Sequence, residues 1–182
     1  MVKLNRIYTR TGDAGTTGLV DGSRVSKSEP LMAAIGDVDE ANSAIGVAIA
    51  MLGTRSPADR LLVIQNDLFD LGADIATPDG IQGALRIVAD QVVRLEAEID
   101  AMNADLSPLT SFILPGGDPA AAALHLARAI VRRAERSAVA AAGLNAPALA
   151  YLNRLSDWLF VAARRVNAGG TGDVLWQPGA SR

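Results

Sequence analysis

Between Pro30 and Asn167, proline and glycine cut the sequence into stretches whose apolar residues recur three and four positions apart. No stretch alternates apolar and polar residues in the way a half-buried strand requires, so the segments must pack as helices. Ser28 is placed to cap a first helix with Pro30 in its opening turn, running from Leu31 to about Leu52 and stopped by Gly53. Ser56-Pro57 opens a second, with Leu61, Ile64, Leu68, Leu71 and Ile75 on one face, until Pro78-Asp79-Gly80 breaks it. The spacing predicts a third helix from about Leu85 to Met102, a fourth from Asp118-Pro119 to Gly143 and a fifth from about Pro147 to Asn167. The expected fold class is all-α: a single-domain, five-helix, up-and-down bundle.

The flanks differ in character. Residues 1–26 are rich in Gly, Thr and Asp, with a short strand-like patch around Leu4 to Thr9, and are expected to form a glycine-rich N-terminal arm. The bundle then occupies residues 27–167, and residues 168–182 are expected to be a flexible tail. Within the bundle, Ser107 to Asp118 holds two prolines and Gly116-Gly117, which makes it a shaped loop. No repeat or linker divides the 182 residues, and 49% apolar content is enough for one sizeable core.

A formal net charge of -3 gives no basic footprint for nucleic acid, so any anion site must come from a local cluster. The absence of cysteine removes disulfides, thiolate metal sites and cysteine nucleophiles together. Met1 to Arg10 lacks the apolar run of a signal peptide, and no apolar stretch approaches the roughly 20 residues that span a bilayer. The expectation is a cytoplasmic protein with neither membrane nor nucleic-acid partners.

The fourth helix carries the clearest chemical pattern. At about 100° per residue, Ala127, Ile130, Val131, Ala134 and Ala138 fall on one side, and His125, Arg128, Arg132, Glu135 and Arg136 share an arc beside them. Three arginines thus stand one turn apart in a row. Like charges at that spacing destabilise a helix by roughly 0.2–0.5 kcal/mol per pair, so the row needs carboxylates, a polyanionic ligand or plain solvent. The arm offers a complement: Thr9, Arg10, Thr11, Gly12, Asp13, Ala14, Gly15, Thr16, Thr17 and Gly18 supply tight bends, backbone N–H groups, four hydroxyls and a carboxylate able to hold a magnesium-bound water, and Lys27 follows. It matches neither a Walker A loop nor a dinucleotide fingerprint and, taken alone, reads more readily as an ordinary glycine-rich loop.

Elsewhere the first helix gathers Asp39, Asn42, Ser43 and Gly46 in one arc, suited to solvent or to the close approach of another subunit. The fifth places Asn153, Asp157 and Arg164 on one stripe beside Tyr151, Leu155, Leu159, Ala162 and Val166. Phe112 reads either as a core aromatic or as a side chain pushed toward a ligand by its Pro-Gly-Gly loop. His125, the only histidine, fits a structural or solvated role. There is no Glu-x-x-His pair for a di-iron bundle and no hydrolytic triad. Phosphate-binding equipment without a protein nucleophile is what a chain needs when a cofactor performs the chemistry.

Five segments carry a resemblance in order: TRTGDAGTTGL (Thr9 to Leu19) with Lys27, GDVDEANSAIG (Gly36 to Gly46), FILPGG (Phe112 to Gly117), RRAER (Arg132 to Arg136) and YLNRLSDWLFVAARRVN (Tyr151 to Asn167). Together they resemble the signature segments of the PduO-type ATP:cob(I)alamin adenosyltransferases over nearly the whole chain. One departure is Ala41, where that family usually has leucine.

The resemblance implies a transferase that moves the 5′-deoxyadenosyl group of ATP onto the cobalt of cob(I)alamin, forming adenosylcobalamin and releasing triphosphate. It implies a homotrimer with ATP and Mg²⁺ at each subunit interface. Thr9, Arg10, Thr11, Gly12, Asp13, Gly15, Thr16, Thr17 and Lys27 would wrap the triphosphate, and Arg132, Glu135, Arg136 and Asn153 would hold ATP from the bundle. Asp39 of one subunit would pair with Arg128 of its neighbour, and Phe112 would lie beneath the corrin ring. An electron-donating reductase and an adenosylcobalamin-dependent enzyme are the further partners implied. The rivals left open by the residues alone are a small phosphotransferase, which would release ADP, and an ATP-sensing or corrinoid-carrying module without turnover.

Overall fold

The computed structural model describes residues 7–170 and 172–182. A two-stranded antiparallel hairpin, β1 (Thr16–Gly18) and β2 (Arg24–Ser26), precedes five helices: α1 (Pro30–Leu52), α2 (Ala58–Ile75), α3 (Ala89–Asn103), α4 (Pro119–Ala141) and α5 (Ala146–Ala168). Among the described residues, no helix is long and apolar enough to cross a membrane.

The bundle is set by seams of alternating three- and four-residue spacing. On α1 the seam includes the buried residues Ala34, Val38, Ala41, Ile45, Ala48 and Leu52, and on α4 it includes Ala120, Leu124, Ala127, Val131, Ala134 and Ala138. That spacing is the one that keeps an apolar stripe facing a neighbour at a shallow crossing angle. α1 packs chiefly on α4, α4 also on α5, α5 also on α3, and α1 also on α2. Alanine on both α1 and α4 lets the chain's long helices approach closely. Ala41, the departure from the related pattern, is one of these fully buried seam residues. α5 is the most enclosed helix, with Tyr151, Leu152, Leu155, Trp158, Leu159 and Ala162 all inaccessible.

Polar links fix the helix directions. Ser137 donates to Asp37 at one end of α1 while Arg55 pairs with Asp118 beyond the other, so α1 and α4 are antiparallel. Asn153 to Glu135 and Asn167 to the Asp118 amide set α5 antiparallel to α4. The arm and the α4–α5 turn therefore lie at one end of the bundle, and the loop before α4 and the C-terminal tail lie at the other. The arm touches its end through the Val20 amide, which donates to the Ala76 carbonyl at 3.4 Å.

Two buried carboxylates join elements that the apolar seams leave apart. Asp67 of α2 accepts from the Tyr151 hydroxyl at 2.7 Å and the Gln91 amide at 2.9 Å, and forms an ion pair with Arg94. Burial first, and then the Asp67 charge, hold the Tyr151 hydroxyl well above its ordinary pKa, so it remains a donor. Asp74 accepts from Arg86 at 2.7 Å, from the Ile87 amide at 2.8 Å and from Asn145 at 2.8 Å.

These contacts explain where the helix boundaries depart from the sequence reading. The third helix starts at Ala89 rather than Leu85, because Asp74 holds Arg86 and the Ile87 amide and inserts Ile87 into the core. Ser28 does not cap α1: Glu29 occupies the cap position, and the Ser28 hydroxyl is engaged with that of Ser26 at 2.8 Å. Of the strand-like patch at Leu4 to Thr9, residues 4–6 lie outside the described residues and Ile7 to Thr9 are not in a strand. The tail expected to be flexible makes backbone hydrogen bonds to the loop before α4, from Leu114 to Val174 and from Trp176 to Phe112.

Removing the Tyr151 hydroxyl with Tyr151→Phe takes one of several donors from Asp67 and should destabilise the chain by about 1–2 kcal/mol in urea unfolding. Asp67→Ala takes the acceptor from the Tyr151 hydroxyl and the Gln91 amide, leaves Arg94 with only its longer contact to Glu98 at 3.8 Å, and should cost about 3–5 kcal/mol. Equal effects would mean that Asp67 is not the hub of this network.

Candidate functional site

The arginines of the helices and of the loops that join them fall into two groups. Arg55, Arg60, Arg86, Arg94, Arg133, Arg154, Arg164 and Arg165 each pair with a carboxylate. Arg128, Arg132 and Arg136, the row read from α4, make no ion pair with any described residue. Arg133 shows why the row stays separate: one residue on from Arg132, it turns toward α1 and pairs with Asp37 and Glu40. Arg136 donates only to the Arg132 carbonyl at 2.9 Å. Glu135 accepts from the Asn153 amide at 2.8 Å, which brings these two expected residues together and leaves the carboxylate available to orient rather than neutralise.

Arg128 stands apart from the other two in burial. Its Nε is buried without a hydrogen-bond partner, and its guanidinium carbon lies 6.0 Å from the centre of the Phe160 ring. Burial, and next the charge of Arg132, lower its pKa from the ordinary value, the signature of a cation short of counter-charge. With Phe112, Phe160, Leu109, Ser111 and Ile113 it lines an open cleft of about 540 Å³. Phe112 is 77% exposed, so it is no core aromatic: its ring projects over this cleft and meets only Trp176, edge on, at 6.0 Å. His125 is buried rather than solvated, with neither ring nitrogen hydrogen-bonded, and burial lowers its pKa. It departs from the arginine arc because it packs edge-on against Phe160.

Asp39 lies elsewhere. It is exposed, makes no ion pair with a described residue, and lines a second cleft of about 500 Å³ between α1 and α2 with Gly36, Asn42, Phe69 and Gly72. Within one chain Asp39 and Arg128 do not meet. Beside Asp39 in this cleft stands Phe69, 72% exposed, and further along the same two helices Val47, Met51, Leu62 and Val63 are also exposed.

The arm is a compact unit. Gly15 takes a left-handed φ of 80°, and Lys27 returns over the loop, its amide donating to the Gly15 carbonyl at 2.9 Å. Gly12 allows the approach: a Cβ there would stand 3.0 Å from Lys27 Nζ. Thr9 and Thr11 share a hydroxyl hydrogen bond at 2.9 Å, and Arg10, at a φ of 64°, lies over the Tyr8 ring. Asp13 and Thr17 belong to the same turn and hairpin. Sequence reasoning missed Arg24, whose guanidinium donates to the Thr11 carbonyl and the Thr16 hydroxyl, each at 2.7 Å, and so holds the loop closed. Its signal was the Asp21-Gly22 turn, which folds β2 back on β1. The structure thus brings together the arm residues and Lys27, Arg132 with Arg136, Glu135 with Asn153, and Phe112 with Arg128. It does not join these groups to one another or to Asp39 within one chain.

Comparison with known proteins identifies the family. The family described as cobalamin adenosyltransferase matches residues 7–166. A corrinoid adenosyltransferase of Mycobacterium tuberculosis is 52% identical, covering 100% of this chain and 97% of its own. A solved variant of a PduO-type ATP:corrinoid adenosyltransferase from Lactobacillus reuteri, complexed with cobalamin and ATP, superposes with a TM-score of 0.89 at 37% identity, covering 94% of this chain and 99% of that one. A second variant of that enzyme, complexed with ATP, gives 0.87 at 38% identity, covering 94% and 100%. A helical bundle with an unneutralised arginine row and a glycine-rich arm, matched along its length in sequence and in shape, belongs to the cobalamin adenosyltransferase family, in its PduO type.

Proposed function

We propose that this chain aligns cob(I)alamin with ATP and transfers the 5′-deoxyadenosyl group to cobalt. The observation that carries the reading is the row Arg128, Arg132 and Arg136, left without carboxylates among the described residues where every other arginine of the bundle has one. A row of cations without counter-charge is a site for a polyanion. Cob(I)alamin is a strong nucleophile: its electron pair forms the cobalt–carbon bond as the C5′–oxygen bond breaks, and triphosphate departs with that bond's electrons. The protein's tasks are alignment and stabilisation of the leaving group.

In this reading Arg132 and Arg136 hold the triphosphate together with the arm residues Thr9 to Thr17 and Lys27. Glu135 and Asn153 fix the nucleoside end through their mutual hydrogen bond. Among the described residues no group of three or more His, Asp or Glu could hold a metal alone. Asp13 and the threonine hydroxyls of the arm are hard oxygen donors and would hold Mg²⁺ brought with the nucleotide. When bound it supplies charge neutralisation to the leaving triphosphate.

The homotrimer belongs to the same reading. The exposed apolar face around Phe69 and the unpaired Asp39 support a subunit contact in which Asp39 meets the neighbour's Arg128. The corrin then lies in the Phe112 cleft, where an apolar ring that cannot ligate displaces the lower axial donor and makes Co(II) easier to reduce. A reductase supplies the electron, an adenosylcobalamin-dependent enzyme takes the product, and we place the reaction in the cytoplasm, where ATP and a reduced corrinoid coexist.

Mixing the chain with MgATP and chemically reduced cobalamin should give the light-sensitive spectrum of adenosylcobalamin and inorganic triphosphate. ADP release would favour a phosphotransferase, and binding without turnover a carrier. Arg132→Ala and Arg136→Ala should each raise the KM for ATP and lower turnover, a loss of about 1.5–3 kcal/mol in kcat/KM for one charge-assisted bond. Wild-type ATP kinetics in both would remove them from the site. Asp39→Asn should impair corrinoid handling more than ATP binding, and its combination with Arg128→Ala should cost less than the two separate losses added. Strict additivity would mean that the two residues never meet.

A further inference from the structure

The loop that carries Phe112 is tied down by residues to which the proposed reaction gives no role. Asn167, in the last turn of α5, is only 2% exposed and is hydrogen-bonded through both ends of its amide. Its Oδ1 accepts from the Asp118 N–H at 3.0 Å, and its Nδ2 donates to the Gly116 carbonyl at 3.0 Å and to Asp173 at 3.4 Å. Gly117 lies between those two points with a φ of 102°, and a Cβ there would stand 2.2 Å from Asn167 Oδ1. No other residue type fits. One turn earlier, buried Arg164 donates to the Ser107 carbonyl at 2.8 Å and to Asp173 at 2.9 Å. A single face of α5 therefore grips the loop at Ser107, at Gly116 and at Asp118, and grips the start of the tail as well.

From Asp173 the tail runs antiparallel to the loop. The Leu114 N–H donates to the Val174 carbonyl at 2.8 Å and the Trp176 N–H to the Phe112 carbonyl at 2.7 Å, with Ile113 opposite Leu175. The Ser111 hydroxyl donates to the Trp176 carbonyl at 2.9 Å. This pairing brings the Trp176 ring edge-on to Phe112, and Trp176 is its one ring contact among the described residues. An aromatic that must displace an axial ligand needs a fixed backbone and a fixed rotamer, and a Pro-Gly-Gly loop supplies neither by itself.

We propose that Asn167 and Asp173–Trp176 form a clasp that positions Phe112 for cob(II)alamin reduction, which makes Asn167, Asp173 and Trp176 positioning residues of the cobalt step. The inference rests on the adenosyltransferase reading. In that step one electron from a reduced flavin converts Co(II) to Co(I), and the lower axial ligand, water or the corrinoid's own base, leaves as a neutral molecule. The clasp acts before the electron arrives, by keeping the ring where the ligand would sit.

The test uses the full chain, its Trp176→Ala, Trp176→Phe and Asp173→Asn forms, and Phe112→Ala for comparison. Without ligands, exchange of the two amides that donate across the pairing, those of Leu114 and of residue 176, should quicken by about tenfold in Trp176→Ala and Asp173→Asn, because the tail pairing loosens. With MgATP and cob(II)alamin, the four-coordinate Co(II) spectrum should fall by about fivefold in Trp176→Ala, and flavin-driven turnover should fall in step. Turnover from pre-reduced cob(I)alamin should fall far less, the KM for ATP should stay within about twofold, and Trp176→Phe should restore the Co(II) spectrum. Unchanged exchange, an unchanged spectrum, or equal losses from Co(II) and Co(I) would each overturn the positioning role. A wild-type chain that makes no adenosylcobalamin from cob(I)alamin removes the underlying reading, and the positioning role with it. The exchange measurement contains no corrinoid and still reports in that case whether the clasp exists.

Discussion

A helix can carry three unneutralised guanidinium groups on successive turns only if its opposite face is anchored strongly enough to absorb their repulsion. In α4 that anchor is the seam Ala120, Leu124, Ala127, Val131, Ala134 and Ala138, closed against α1 and α5. Repulsion of about 0.2–0.5 kcal/mol per neighbouring pair is small beside the burial of such a stripe, at roughly 25 cal/mol for each Å² of apolar surface removed from water. The small side chains matter in a second way. They let the flanking helices come close enough for Arg133 to reach Asp37 and Glu40 of α1, which withdraws one arginine from the site and leaves its neighbours to face outward.

The bundle then separates two kinds of work. At the arm end, mobility is limited by polar contacts: Arg24 closes the loop on Thr11 and Thr16, and Lys27 lies over Gly12. At the opposite end, Arg55 bridges to Asp118, whose side chain also caps α4 through the Ala120 amide. The Arg55 hydrogen bond holds the Asp118 carboxyl below its ordinary pKa, so the cap remains ionised. Between the ends stand the arginines of α4. The chain by itself assembles the parts of a site without closing it, since Asp39 lines a different cleft from Arg128.

Much of this could be read from the sequence, and the exceptions have physical causes. The heptad-like spacing on α1, α2, α4 and α5 announces helices because periodicity is a property of one segment at a time. The arginine row was legible for the same reason. The start of α3 was not, since Leu85 to Val88 are compatible with a helix until Asp74, some ten residues earlier, captures Arg86 and the Ile87 amide. The burial of His125 was likewise invisible, because its partner ring, Phe160, comes from another helix. The tail looked loose by composition, and its pairing with Ser111 to Leu114 depends on Arg164 and Asn167, which local pattern assigns to the surface of α5. Contacts between distant segments, not local preferences, account for each of these differences.

The rigidity of α4 makes it a ruler. Each helical residue adds about 1.5 Å, so Arg128 and Arg136 are held about 12 Å apart along the axis, one toward the loop that carries Phe112 and the other toward the arm. Side-chain identities along its solvent side are free to drift, but its length is not. One residue inserted between 128 and 136 would swing everything beyond it through about 100°, carrying Arg136 out of line and turning Ala138 from the seam to water. Along this helix the register is therefore under tighter constraint than the sequence, and relatives should differ here by substitution and never by an odd residue gained or lost.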